Sequence, residues 1–258
     1  MDGVDARDGR LPEEKPDVSE PAPPHRQPEE NPRHGRLTAR PVPPVTTGGS
    51  GRTPLTGPDG EALGLAYAPA GTAGRPLRLV LLLHGAGGTA EQGLDLLLPL
   101  ADRHRLLLVA PQAVASSWDL VVEGFGPDVR RIDLLMAAAF QAWPVECVVA
   151  GGFSDGASYA LSLGLTNGDL FAAVLAFSPG FAAPMVTHGR PRVFVSHGTG
   201  DQVLPVDVCS RRLVPRLNTL GYQVDYHEFD GGHEVPTPIR QHAVEWLSSV
   251  AGRRTRLR

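Results

Sequence analysis

Five residues, Gly152-Phe153-Ser154-Asp155-Gly156, hold a serine with a glycine two positions to either side. They follow the apolar, β-branched run VECVVA (145–150) and open an alanine- and leucine-rich segment, so the serine falls on a strand-to-helix turn. On such a turn a side chain two positions before or after would strike neighbouring backbone, which is why glycine is needed there. The turn lifts the hydroxyl above the sheet edge, beside the N–H groups of a helix start, where developing negative charge is favoured. A serine so placed can attack once a base takes its proton and a carboxylate orients the base.

On a parallel sheet the acid and then the histidine should follow, each after a later strand. RVFVSHGTGDQVLP (192–205) offers Asp201 in a glycine-containing turn, and YHEFDGGHEVP (226–236) offers His233 in another. Asp201 could instead cap the next helix, and His233 could be an ordinary loop histidine, but their order and strand-end positions favour the pair. Competing residues read as structural: Asp225 within a strand, Asp230 three positions before His233, His197 at a strand end and His242 inside a helix.

An oxyanion formed by that attack needs two backbone N–H donors. Asp155, directly after the serine, supplies one, and Ala86 in LLLHGAGGT (81–89) supplies the other, with Gly85 letting the backbone approach substrate. A phosphate-cradling reading of GAGG fails on spacing, for neither G-K-S/T nor G-x-G-x-x-G is present. Trp118 in ASSWDL (115–120) follows a strand, where ligands gather, and reads either as a wall of the substrate pocket or as a core side chain.

The elements that must position these groups alternate. Strands are expected at 75–85, 106–113, 145–153, 172–180, 192–201 and 222–230, with an edge strand at 61–71. Helices are expected at 89–105 (kinked or broken by Pro99), 126–144, 154–166, 205–221 and 239–251. Alternating strands and helices imply right-handed crossovers and a three-layer α/β/α sandwich with a mostly parallel sheet and no lid domain. One domain is expected over 54–252. It follows an unstructured, proline-rich arm over 1–53, with PAPP and PVPP inside it, and precedes a basic tail over 253–258.

Over 258 residues a net charge of −4 argues against a dedicated nucleic-acid or anionic-membrane surface. Cys147 and Cys209 read as buried free thiols, and no zinc-type Cys spacing is present. The first residues lack the basic start and apolar stretch of a secretory signal, and no run approaches the ~20 apolar residues of a membrane span. A cytoplasmic protein is the expectation.

With these residues in view, the chain resembles the α/β-hydrolase superfamily. Within it, the chain is similar to the lidless phospholipase/carboxylesterase group that includes acyl-protein thioesterases, and to polyhydroxybutyrate depolymerase-like esterases. LLLHGAGG, PQAVASSWD, GGFSDGASYALSL, VSHGTGDQVLPVD and GGHEVP carry the resemblance, over about 80–240. It implies Ser154 as nucleophile, Asp201 as acid, His233 as base and oxyanion donors near Ala86 and Asp155. It further implies an acyl-serine intermediate on a small ester or thioester of short to medium chain, with no metal or organic cofactor. A serine peptidase and a non-catalytic binding module on the same fold are the other readings. Three features depart from the pattern: thioesterase-like members carry glutamine where this chain has Asp155, the proline-rich arm has no counterpart, and the short loop 119–127 implies an open, shallow site.

Overall fold

Strand β3 (Leu77–Leu83, LRLVLLL) points Leu77, Leu79, Leu81 and Leu83 into one apolar layer and Val80 and Leu82 into another. This two-sided burial is why the strand is apolar throughout rather than alternating with polar residues. The same division runs through β4 (Leu106–Pro111), β5 (Val145–Phe153), β6 (Ala173–Phe177) and β7 (Arg192–Gly198). The edge strands β1 (Gly51–Thr56) and β8 (Val224–Phe229), with β2 (Ala62–Ala68) beside β1, complete an eight-stranded sheet in the order β1-β2-β4-β3-β5-β6-β7-β8. β1 and β2 pair antiparallel with their neighbours, and all other pairs are parallel. The computed structural model describes residues 34–71, 74–122 and 124–250.

One face of the sheet is covered by α1 (Ala90–Asp95), α2 (Leu98–His104) and α7 (Thr237–Ser249). The other is covered by the single turn α3 (Asp119–Val122), α4 (Pro127–Ala142), α5 (Asp155–Thr166) and α6 (Ser210–Thr219). The result is the expected three-layer sandwich. Helix α5, which begins at the serine, is buried along its whole length beyond Asp155. It has no solvent face, and Ser158, Ser162 and Thr166 return their hydroxyls to backbone carbonyls four residues earlier.

Three local expectations change. The helix expected over 89–105 is two: Thr89 and Gln92 form a capping box at the start of α1, and Pro99 sits in the first turn of α2. There the missing proline N–H has no partner to lose. The strand expected at the edge, β2, lies second, because β1 pairs outside it and carries Pro54, which an edge strand tolerates.

Residues 34–53 are not an unstructured arm. Leu37 is buried between the helices, its N–H donates to Asn167 Oδ1 (2.9 Å), and Asn167 Nδ2 donates to Gly35 O (2.7 Å). Arg36 donates to Thr166 O and Asp169 Oδ1 (both 2.8 Å), and Asp133 Oδ1 accepts from the N–H groups of Thr38 and Ala39 (both 2.8 Å). Few apolar side chains suffice because side chains of α4 and of the turn after α5 satisfy the segment's backbone. The rest of the expected arm, 1–33, and the tail at 253–258 lie outside the described residues.

Candidate active site

Ser154 stands between β5 and α5 with φ 59° and ψ −122°, a left-handed backbone that L side chains rarely adopt. The surroundings leave no slack. A Cβ on Gly156 would lie 2.2 Å from Leu83 O, and one on Gly152 would lie 2.4 Å from Gly156 O. Ser154 N–H donates to Phe177 O (2.9 Å), tying the turn to the end of β6. Strain of this kind persists only where neighbours over-determine it, and it clusters at functional sites.

Asp201 lies after β7 and His233 after β8, and the two loops touch backbone to backbone. Gly200 N–H donates to Gly231 O (2.9 Å), and a Cβ on Gly198 would fall 2.2 Å from Gly232 O. That approach brings His233 Nδ1 to 2.6 Å from Asp201 Oδ2, and His233 Nε2 to 2.9 Å from Ser154 Oγ. The carboxylate is fully buried, and its other oxygen accepts from the N–H groups of Val203 and Leu204 (2.9 and 2.8 Å). Burial pushes the Asp201 carboxyl up, but the bonds from His233 and from those two N–H groups outweigh it and hold the group below the usual carboxylate range. An ionised Asp201 therefore fixes Nδ1–H on the imidazole and leaves Nε2 free to accept the serine proton.

His197, set aside as structural, is fully buried beside the same carboxylate, with Nε2 3.3 Å from Asp201 Oδ2. Its Nε2–H donates to Leu204 O (2.7 Å) and its Nδ1 accepts from Ser210 Oγ–H (2.7 Å), bracing the acid loop.

Ala86 and Gly85 follow β3 in the loop facing the serine, where a Cβ on Gly85 would sit 3.4 Å from Ser154 Cβ. Neither Ala86 N–H nor Asp155 N–H donates to an acceptor among the described residues, so both remain available to a ligand. Asp155 turns its carboxylate aside, with Oδ2 accepting from Ser117 Oγ–H (2.6 Å). A cavity of about 440 Å3 opens beside this loop, lined by Gly85, Ala86, Gln92, Phe153, His233 and Arg240. A larger one, about 760 Å3, lies past Ser117 against Asp119, Asp128 and the exposed Met185.

Trp118 lines neither cavity. It is fully buried, packed between His84 and Tyr159, and its Nε1–H donates to His84 O (2.9 Å). The core reading of this residue holds and the pocket reading falls, because the short loop folds inward. Asp119 and Asp128 draw it in: Asp128 accepts from the N–H groups of Val114 and Asp119, and Asp119 accepts from those of Gly126 and Asp128 and from Tyr159 OH.

His84, in LLLHGAGGT, carried no assigned role in the sequence reading. Burial pushes its imidazole below the ordinary value, and the neutral ring donates Nδ1–H to Gly85 O (2.8 Å) while Nε2 accepts from Ala113 N–H (3.3 Å). His84 and Trp118 together hold the Gly85–Ala86 backbone from beneath.

The strand order, with Ser154 on a strained turn after β5 and Asp201 and His233 after β7 and β8, is that of one fold. The chain has the α/β-hydrolase fold. A sequence model of the family described as Phospholipase/Carboxylesterase matches residues 131–250, which include all three residues. No curated protein sequence matches. Among solved structures, the esterase PE8 is 25% identical with a TM-score of 0.60, over 77% of this chain and 100% of that one. The carboxylesterase of Bacillus cereus is 21% identical (TM-score 0.54; 77% and 93% covered). A fluorophosphonate-binding serine hydrolase of Staphylococcus aureus is 16% identical (TM-score 0.60; 78% and 98%). The last two speak for the fold alone. The family match and the similarity to PE8 support a carboxylic ester hydrolase. Among the described residues of this α/β-hydrolase, no helix is long and apolar enough to cross a membrane.

Proposed function

We propose that this α/β-hydrolase cleaves carboxylic esters or thioesters of short to medium acyl chains through Ser154, His233 and Asp201. The observation that carries the reading is the continuous pair of hydrogen bonds, 2.9 Å from serine to histidine and 2.6 Å from histidine to aspartate. His233 Nε2 takes the hydroxyl proton as Ser154 Oγ attacks the carbonyl carbon. Asp201 holds the resulting imidazolium, and the oxyanion rests on the N–H groups of Ala86 and Asp155. The imidazolium then protonates the departing alcohol or thiol, leaving an acyl-serine. Water, deprotonated by the same nitrogen, releases the acid and restores the serine. The cavity beside Ala86 has the size of a small-molecule site and is lined by loop residues together with Gln92 of α1 and Arg240 of α7.

The test is hydrolysis of p-nitrophenyl esters of increasing acyl length, beside a p-nitroanilide, by wild type and Ser154→Ala. Turnover should peak at one chain length and fall by a factor on the order of 10⁶ in the variant, with thermal melting little changed because no buried apolar group is removed. Well-folded wild type that splits no ester, or a variant that retains turnover, overturns the reading. Faster anilide than ester turnover would make the enzyme a peptidase.

A further inference from the structure

Asp225, His227 and His242 are drawn together on the far side of the sheet edge from α6, although two of them looked structural in the sequence. Asp225 and His227 stand at i and i+2 on β8 and so share a face, the one covered by α7, from which His242 reaches back. One donor atom from each lies within 4.8 Å of the other two.

Three details distinguish this group from a chance surface cluster. His227 Nε2 is 2.7 Å from Asp225 Oδ1, so one edge of a coordination polyhedron is already closed. The rings of His227 and His242 meet at 4.2 Å, yet the His242 nitrogens have no hydrogen-bond partner among the described residues. Phe194 lies against both rings, stacked on His227 (5.1 Å) and edge-on to His242 (5.7 Å), which restricts their rotation and gives the group an apolar floor. The open side faces solvent: His242 is exposed and the other two are half-buried, so an ion can enter.

We propose that Asp225, His227 and His242 form a binding site for a zinc-class divalent ion. Two imidazoles and one carboxylate suit Zn2+, Co2+, Ni2+ or Cu2+ better than Mg2+ or Ca2+, which prefer all-oxygen shells. Metal–nitrogen bonds of about 2.0–2.1 Å place tetrahedral ligands roughly 3.4 Å apart. The present separations bracket that value, so small side-chain rotations complete the site. Three protein ligands leave at least one position for water. The ion would join β8 to α7, the two elements between which the His233 loop is strung, and it acts on stability rather than in the ester chemistry.

The experiment uses the full chain without a polyhistidine tag, stripped with chelator and titrated with Zn2+ by calorimetry and thermal melting. Wild type should bind one ion per chain. Melting should rise by about 5–10 °C at a hundredfold excess over Kd. His242→Ala and Asp225→Asn, at partly exposed positions, should melt like wild type in chelator and bind at least about tenfold more weakly. Co2+ should give a visible d–d band in wild type that His242→Ala abolishes. Equal Zn2+ affinity in wild type and His242→Ala would mean that the ion sits elsewhere, and absence of binding at about 1 mM Zn2+ would mean that the cluster is only a hydrogen-bonded pair beside a third ring. Either result overturns the proposal.

Discussion

Trp118 lies beneath the loop that carries Ala86 and is tied to it without lining the cavity. Its indole N–H holds His84 O, two residues before Ala86, and the neutral His84 ring beneath it anchors Gly85. Trp118→Phe keeps most of the buried ring but leaves that carbonyl without its donor, a loss of about 1–3 kcal/mol. If the pair positions the oxyanion loop, kcat should fall about tenfold with KM nearly unchanged. A purely packing residue would lower the melting temperature and leave kcat alone, so both are measured. At this scale the sequence was most informative where chemistry imposes order. Ser154, Asp201 and His233 could be picked because a serine, an acid and a base must each follow a particular strand. Trp118 could not be placed, since its direction depends on Asp119 and Asp128 pulling the loop inward, and those contacts are non-local. His197 was dismissed for the same reason, because only the folded loop brings it to Asp201.

Among elements, the turn from β5 into α5 tolerates little change. Gly156→Ala would place a methyl against Leu83 O and His84 O at 2.2 and 2.4 Å, backbone atoms that cannot yield cheaply. We expect a loss of about 1–3 kcal/mol or more, read as a lower denaturation midpoint, together with lost ester turnover as β3 and α5 are pushed apart. Gly49→Ala, where nothing lies within 4 Å, should stay within about 0.5 kcal/mol of wild type and serves as the control. The central strands were legible because burial on both faces writes a continuous apolar run. β1 was not, since GRTPLT buries only Leu55 and reads like the polar segment before it. Its place is set by pairing with β2, a property of the partner strand rather than of its own composition. The split of α1 from α2 was half visible: Pro99 announced a discontinuity, but the capping box at Thr89 and the turn at 96–97 fixed where it falls.

At the scale of the whole molecule, the segment before β1 closes over α4 and the end of α5 through Arg36, Leu37 and Arg40. Burial pushes Asp169 up, but the Arg36 hydrogen bonds and the nearby Arg40 charge outweigh it and hold the carboxyl at about 2. A folded-state value below the ordinary 3.8 means that folding favours the ionised form. The stabilisation is therefore complete above pH 4 or so and lost as pH falls toward 2. Because 38% of this side chain is exposed, solvent screening reduces the contribution to about 1 kcal/mol. Asp169→Asn should accordingly melt about 2–4 °C below wild type at neutral pH, and the two curves should converge near pH 2. A gap that persists unchanged in acid would show that the segment is held by Leu37 and its backbone bonds instead. Composition alone misjudged this region, because it registers apolar content and not the carboxylate and amide side chains elsewhere that receive a polar strand of chain.

The three side chains proposed to react and the two proposed oxyanion donors sit in loops and at the first residue of α5, all at one end of the sheet, while the residues that make the core lie within the strands and helices. Selection, natural or in the laboratory, can therefore alter what enters the cavity through Glu234 or Arg240 without reopening the packing problem solved by β3 and β5. Substrate range and thermal robustness become separately adjustable traits, and a library confined to that rim should diversify activity while leaving most of its members folded.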